Sequence, residues 1–513
     1  MFTNKKSLFV FFLSLCFGFS SLTLAKTDRS LFEVLNKVNS TLELNLSAKE
    51  CHQKIEYFWQ KLYELDAQTV GFFDVSAKQI DYYIQSSFEV RLKIKEKLKK
   101  LRMNTDDEKK CLRSIKRAFT ALRYVEDYLI EYRYQKLASN SQEDIQTLTG
   151  EGGHFLINPR FKGEFESWQD LKGGDVLLSR GNAFSSAAIA RVGKTDTQFS
   201  HLSLVHQKQG ALYTSEAHIE IGNVVAPIEV HLNQKNARTV VFRHQDSRLA
   251  AKAGEVAFNH IEKFQQRGRN IEYDFGMDYH DEKRLFCSEV IYYGYRHASL
   301  ELGMKEVLIP KFKTTFEPSL LPFLQALGIN VNRQTVKTFN TFGPGDIQFD
   351  DRFEMIAEWR NPKKLQDSRF KDAILTKLFD WMEQKQYEFD APLLTGLISR
   401  FSLLARKSDF VTELLKSKFL LGTDLAKKFP RNMTVSQMKL FLVLDEVGEY
   451  FYQKLKKKEH NYGAPLSLAQ MFNYLEELRV EDKKLWDHYQ RRYRGSRLGR
   501  TIKKPAFHLL FHP

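Results

Sequence analysis

The apolar residues of this chain recur with different spacings in three successive parts. From about residue 28 to 140, and again from about 365 to 495, they recur every three or four positions. Between residues 170 and 245 they form short β-prone runs separated by turn residues. Because helices and strands need different periods, one uniform architecture is excluded. The pattern predicts an α+β domain flanked by N- and C-terminal all-α regions.

The first helical part predicts a bundle of three or four helices over residues 26–145. Ser47 and Glu50, like Thr105 and Glu108, are spaced as capping boxes that open apolar-periodic runs. No proline occurs before Pro159, so nothing there interrupts a helix. We expect the aromatic residues of this region to form its core.

The remaining boundaries follow changes in composition. A polar, glycine-rich stretch ends near Pro159, so the α+β domain is assigned to residues 146–330. Residues 331–364 read as an irregular connector, and residues 365–513 as a helical region. That region ends in a basic tail formed by Arg491, Arg492, Arg494, Arg497, Arg500, Lys503 and Lys504.

Residues 1–25 read as a secretory signal peptide. Lys5 and Lys6 precede an apolar stretch from Leu8 to Phe19, which is short for a membrane span, and small residues surround Ala25. We therefore expect an exported protein that is periplasmic, envelope-associated or secreted. An uncleaved N-terminal anchor is the alternative.

Export changes how the cysteines are interpreted. Cys51 and Cys111 both fall in the predicted helical bundle and are the natural disulfide pair, which leaves Cys287 as a free thiol. Three unpaired, buried cysteines are the alternative. The pattern therefore sets Cys287 apart from the other two.

The formal charge of +15 favours anionic partners, such as the surface of a cell envelope. Export argues against nucleic acid. The sequence contains no His-Glu-x-x-His and no Cys-x-x-Cys, and Asp346, Asp350 and Asp351 lack the calcium-loop spacing. We expect no metal ligand and no cofactor.

Cys287 and His201 are the candidate nucleophile and general base. Cys287 precedes Ser288, Glu289 and an apolar run, as at the start of a helix, where the helix dipole and a nearby imidazolium lower a thiol pKa. His201 lies in a strand-like run, which would hold a base rigidly. A buried structural cysteine is the alternative for Cys287, and His206 and His218 compete with His201.

Glu216 is the candidate third residue. It ends the β-like piece that follows His201, and a hairpin between the two pieces would bring Glu216 close to His201. A carboxylate there accepts the second imidazole N–H and fixes the tautomer. Glu220 is the alternative carboxylate and His218 the alternative polar partner.

Five short motifs occur in one order along this part of the chain. They are Gly174-Asp175-Val176, Phe199-Ser200-His201, Ser215-Glu216-Ala217, Tyr273-Asp274-Phe275 and Phe286-Cys287-Ser288-Glu289. In order and spacing the chain resembles the permuted papain-like amidases of the YaeF/YiiX type. These are relatives of the NlpC-type cell-wall peptidases and of lecithin–retinol acyltransferase. The resemblance covers roughly residues 165 to 310.

The resemblance implies a circularly permuted papain-like (NlpC-like) fold in which the His-bearing sheet precedes the Cys-bearing helix. It implies Cys287 as nucleophile, His201 as base and Glu216 as the polar third member. The other motif residues that we assign to the site or its cleft are Asp175, Ser200, Tyr273, Asp274 and Ser288. For Asp175, Tyr273 and Asp274 we favour structural support.

Together these features predict an exported cysteine hydrolase that cleaves an amide bond, with a cell-wall peptide as the first substrate class. An acyltransferase or a lipid-ester hydrolase would use the same Cys and His. A helical envelope scaffold with an inactive papain-like module is the non-enzymatic alternative.

Overall fold

The computed structural model describes residues 31–63, 76–137, 145–305, 314–390, 432–493 and 503–513, without residues 45, 100, 102, 103, 195 and 235. The predicted signal peptide lies outside these residues. So do residues 391–431 of the predicted C-terminal helical region and residues 494–502 of its basic tail. Among the described residues, no helix has both the length and the apolar character that crossing a bilayer requires.

Four long helices make up the described part of the N-terminal region: α1 (Leu31–Glu43), α2 (Ala48–Tyr63), α3 (Ala77–Leu98) and α4 (Asp106–Leu137). The start of α3 is fixed by a capping box, in which the Ser76 hydroxyl accepts the backbone N–H of Gln79. A disulfide joins Cys51 of α2 to Cys111 of α4, with the Cα atoms 5.5 Å apart. The two helices are therefore crosslinked as well as packed.

A seven-stranded antiparallel sheet follows, in the order β1-β9-β6-β2-β3-β4-β5. Its strands are β1 (Phe155–Ile157), β2 (Val176–Gly181), β3 (His201–Lys208), β4 (Ala211–His218), β5 (Gly222–Pro227), β6 (Asn236–His244) and β9 (Phe353–Arg360). Short pairs are formed by β7 (Thr314–Thr315) with β8 (Asn340–Thr341) and by β10 (Glu388–Phe389) with β11 (Phe511–His512).

Strand β9 comes from the segment that we read as an irregular connector. That reading is wrong for residues 353–360, because they pair with β6 on one side and with β1 on the other. The sheet therefore extends past residue 330, and the domain boundaries as a whole remain a prediction.

Helices cover the sheet and continue into the C-terminal region. They are α5 (Phe184–Arg191), α6 (Ile228–Leu232), α7 (Ser247–Gln265), α8 (Cys287–Glu301), α9 (Leu321–Leu327), α10 (Pro362–Lys385), α11 (Val435–Tyr462) and α12 (Leu468–Tyr493). Leu202 and Leu204 of β3 share one buried apolar cluster with Val290 of α8. Burial of such side chains contributes about 1.5–3 kcal/mol each and holds α8 against the strand that begins with His201.

Buried ion pairs join the flanking helices to the sheet. Arg238 of β6 donates to Asp127 of α4 at 2.7 Å and to Asp372 of α10 at 3.2 Å, and all three side chains are inaccessible to solvent. Arg360 of β9 donates to Asp127 as well, at 2.7 Å. Breaking such a pair leaves an uncompensated buried charge, so these contacts fix how the helices sit on the sheet.

Candidate active site

Cys287 is the first residue of α8, where the sequence predicted a helix start. The Glu289 carboxylate accepts the backbone N–H of Phe286 at 2.8 Å and so fixes this end of the helix. The Cys287 sulfur lies 3.9 Å from the carbonyl oxygen of Ser200, the residue directly before His201. The fold therefore brings the candidate nucleophile to the beginning of β3.

Burial dominates the acidity of this thiol. It raises the pKa of Cys287 to about 11, although the backbone N–H of Leu202 and both donors of Ser288 lower it. The sequence led us to expect a lowered pKa at a helix start, and this is where the structure differs. The resting thiol is therefore protonated at neutral pH, and it needs a base to become a nucleophile.

His201 and Glu216 meet as the hairpin prediction required. Strands β3 and β4 are paired so that Ser203 lies opposite Glu216, which places Glu216 diagonally beside His201 on the same face. The Nε2–H of His201 donates to Oε2 of Glu216 at 2.9 Å. This bond leaves Nδ1 as the ring nitrogen that can accept a proton from another group.

The environment of His201 favours its neutral form. Burial lowers the pKa of His201, and the bond to Glu216 only partly opposes this shift. Burial also opposes the ionisation of Glu216, but the facing side chains of His231, His201 and His218 outweigh it and hold the pKa of Glu216 well below its usual range. A neutral imidazole beside a carboxylate is the state that a general base requires.

Four further side chains converge on Glu216, and the sequence analysis named only one of them, His218. His231 donates through Nδ1 to Oε1 at 3.0 Å, Thr214 donates to Oε1 at 2.7 Å, and Gln234 donates to Oε2 at 3.1 Å. His218, noted only as an alternative partner, places Nε2 3.2 Å from Oε2. No local pattern marks His231 or Gln234, because they reach the site from α6 and the turn after it.

The other motif residues support the site in different ways. Asp175 receives two hydrogen bonds from Arg243, at 2.8 and 2.7 Å, and Asp274 accepts the N–H groups of Gly276 and Asp278, both at 2.9 Å. Both are thus tied to the local backbone or sheet. The hydroxyl of Ser200 accepts the N–H of Gly181 at 3.3 Å.

Tyr273 and Ser288 lie closer to the thiol. Burial raises the pKa of Tyr273 well above its usual value, and the Cys287 charge contributes in the same direction. Ser288 is fully buried. These two residues therefore belong to the immediate surroundings of the sulfur.

A cavity of about 530 Å³ opens at this end of the sheet. It is lined by Ala183, Phe184, Ser185, Ile219, Glu220, Lys371, Met433, Phe441, Asp445, Glu446 and Glu449. Ile219 and Glu220 directly follow His218. Burial lowers the pKa of His218, but the Glu216 and Glu220 carboxylates outweigh it and raise that pKa; burial raises the pKa of Tyr273, and the Glu220 charge adds to this rise. The C-terminal helix α11 therefore supplies one wall of a cleft next to the candidate catalytic residues.

Two comparisons with known proteins match part of the chain. Residues 170–336 match the family model described as "Permuted papain-like amidase enzyme, YaeF/YiiX, C92 family". Among solved structures, the chain is similar to a crystal structure of the metalloprotein yiiX from Escherichia coli O157:H7. The identity is 19% and the TM-score 0.28, over 38% of this chain and 100% of that one. A search of curated proteins finds no match.

Proposed function

We propose that the chain is an exported cysteine hydrolase that cleaves an amide bond, because residues 170–336 match the model of the permuted papain-like amidases of the YaeF/YiiX type. One pair of contacts carries the proposal. His201 is hydrogen-bonded to Glu216, and the Cys287 sulfur lies 3.9 Å from the carbonyl oxygen of Ser200, the residue directly before His201. A nucleophile, a base and a residue that orients the base are the parts that acyl transfer needs.

In the proposed reaction, the neutral His201 accepts the thiol proton at Nδ1 while the sulfur attacks the substrate carbonyl. Glu216 holds the ring through Nε2 and stabilises the imidazolium that forms. The N–H groups of Cys287 and Ser288, the first two residues of α8, have no acceptor within the helix, so they can bind the developing oxyanion. The imidazolium then gives its proton to the leaving amine. Water hydrolyses the thioester to release the acid and restore the thiol.

Two observations support export and the first substrate class. The Cys51–Cys111 disulfide is of the kind that persists in oxidising compartments, which agrees with the signal peptide that the sequence predicts. The formal charge of +15 suits a protein that works near an anionic envelope. A peptide amide of the cell wall is therefore the first substrate to test, and a lipid ester or an acyl acceptor other than water is the alternative.

The test is to incubate the mature chain with cell-wall peptide fragments and, separately, with phospholipids, and to identify the products by mass spectrometry. We expect new amines and acids from the peptides, no product with Cys287→Ala or His201→Ala, and activity retained in His206→Asn, a control on the same strand. Lipid products, or transfer to an added amine, would move the assignment to the alternative chemistries. Products that persist without Cys287 would refute the mechanism.

A further inference from the structure

The cluster around Glu216 has a second chemical property. The described residues contain a group of one carboxylate and two imidazoles, His201, Glu216 and His218, whose ligand atoms all lie within 4.8 Å of one another. Both Nε2 atoms approach the same carboxylate oxygen, at 2.9 Å from His201 and 3.2 Å from His218. We propose that these three residues form a site for a borderline divalent cation such as Zn²⁺, which occupies the candidate catalytic base and so inhibits the enzyme.

The distances suit such an ion. Tetrahedral Zn²⁺ with bonds of about 2.0–2.1 Å places neighbouring ligand atoms about 3.3 Å apart. The two N–O separations are already near that value. The remaining adjustment brings the two imidazole nitrogens together. The His218 ring already stacks on the His201 ring, with the centroids 5.1 Å apart, and 26% of the His218 side chain is exposed at the end of β4.

The side chains around Glu216 keep its carboxylate oriented and ionised, as a metal ligand must be. Only 3% of the Glu216 side chain is exposed, and His231 and Thr214 donate to its other oxygen, Oε1, at 3.0 and 2.7 Å. Such outer contacts orient a ligand and keep it ionised. Two imidazoles and one carboxylate favour Zn²⁺ over Mg²⁺ or Ca²⁺, which prefer oxygen ligands.

Inhibition follows from the tautomer of His201. In the proposed catalytic state Nε2 carries the proton, and Nδ1 accepts the thiol proton. When Zn²⁺ binds Nε2, the single ring proton moves to Nδ1, and the ring can no longer accept a proton from Cys287. This step rests on the proposed function, whereas the binding site itself does not.

The binding experiment uses the full chain and competition for Zn²⁺ with a chromophoric chelator. We expect one ion bound per chain. In His218→Asn the affinity should fall by more than the about 10–100-fold that losing an outer contact costs, because His218 is a direct ligand. Cys287→Ser and His280→Asn, a change at an exposed histidine elsewhere, should keep the affinity, and neither Mg²⁺ nor Ca²⁺ should compete. Unchanged affinity in His218→Asn, or its loss in Cys287→Ser, would overturn the site.

A second experiment measures the hydrolysis rate of each variant with and without Zn²⁺. The ratio of the two rates is then compared between variants. We expect inhibition of the wild type that a chelator reverses, and weaker inhibition of His218→Asn at the same Zn²⁺ concentration. Zn²⁺ that binds the wild type without slowing it would refute the inhibitory role. If no hydrolysis is found for any variant, the proposed function fails, and the binding experiment still decides the site.

Discussion

At the residue scale, the hydrogen bond between Glu216 and His201 has a measurable effect on pH dependence. The bond raises the pKa of His201, and burial lowers it by more. In Glu216→Gln the raising contribution is lost, so the acid limb of kcat/KM should move to lower pH. The maximum rate should fall by about 10²-fold or more, because the base is no longer oriented. Rate profiles in chelator-treated buffer measure both effects.

The matched control for that change is Glu164→Gln, which removes an exposed carboxylate outside the lining of the cleft. Its acid limb should stay within a few tenths of a pH unit of the wild type. If Glu216→Gln and Glu164→Gln behave alike, Glu216 does not act on His201.

The thiol gives a second prediction at this scale. Burial raises the pKa of Cys287 to about 11, so a small alkylating agent should modify the resting protein faster as pH rises. Because the thiolate fraction grows tenfold per pH unit below the pKa, the rate between pH 7 and 9 should follow that slope. Mass spectrometry of Cys287 in the native protein measures it. A plateau below pH 8 would instead indicate a thiolate stabilised in the resting state.

Sequence reasoning named the three residues of the candidate triad but not the side chains that surround Glu216. Cys287, His201 and Glu216 carry local signals, namely a helix start and a two-strand hairpin, and the family motifs include all three. His231 and Gln234 carry none, because their role depends on where α6 packs beneath the sheet. The raised pKa of the Cys287 thiol could not be predicted either, because burial depends on the whole fold and outweighs the hydrogen bonds from Leu202 and Ser288.

At the scale of elements, β9 shows why a strand was missed. Six of its eight residues, from Met355 to Arg360, are buried in unbroken succession, so its burial does not follow the near-alternation of apolar and polar residues in its sequence. It also carries Glu358 and Arg360, which sequence reasoning places at the surface. Both are buried because partners from distant helices pair with them, as when Arg123 of α4 donates to Glu358 at 2.8 Å.

Asp372 of α10 provides the test of these buried ion pairs. It accepts hydrogen bonds from Arg180 at 2.7 Å, Arg191 at 2.9 Å and Arg238 at 3.2 Å. Asp372→Asn should lower the free energy of unfolding by about 3–5 kcal/mol, because it leaves buried guanidinium groups without their counter-charge. Urea denaturation measures the change.

The control lies on the same helix. Asp380 pairs with Lys377 at 3.7 Å and is 36% exposed, so Asp380→Asn should cost less than about 1 kcal/mol.

Arginines hold the pKa of Asp372 far below its usual range although burial opposes this. Its stabilising contribution is therefore present above the ordinary carboxyl pKa and lost as pH falls towards the folded-state value. The difference between the two variants should accordingly shrink in strong acid, and equal costs at neutral pH would contradict this account.

At the scale of the whole molecule, the family match and the folded unit differ in extent. The match covers residues 170–336, yet the sheet that holds His201 includes β9, at residues 353–360. Helix α4 supplies Asp127 to Arg238 and Arg360 inside the protein. The matched segment therefore makes buried contacts with residues on both sides of it, and we expect its folding to depend on them.

This dependence predicts how fragments behave. A fragment of residues 146–330 lacks β9, which exposes the edge of β6, and it lacks the acidic partners of Arg238. We expect it to aggregate or to lack a cooperative thermal transition, and a fragment of residues 146–513, which regains β9 but not α4, to remain defective. The chain from residue 26 onward should unfold cooperatively. Near-ultraviolet circular dichroism on heating measures this for all three. A cooperative transition in the 146–330 fragment would show that the family segment folds alone and that the helical regions serve only its cleft.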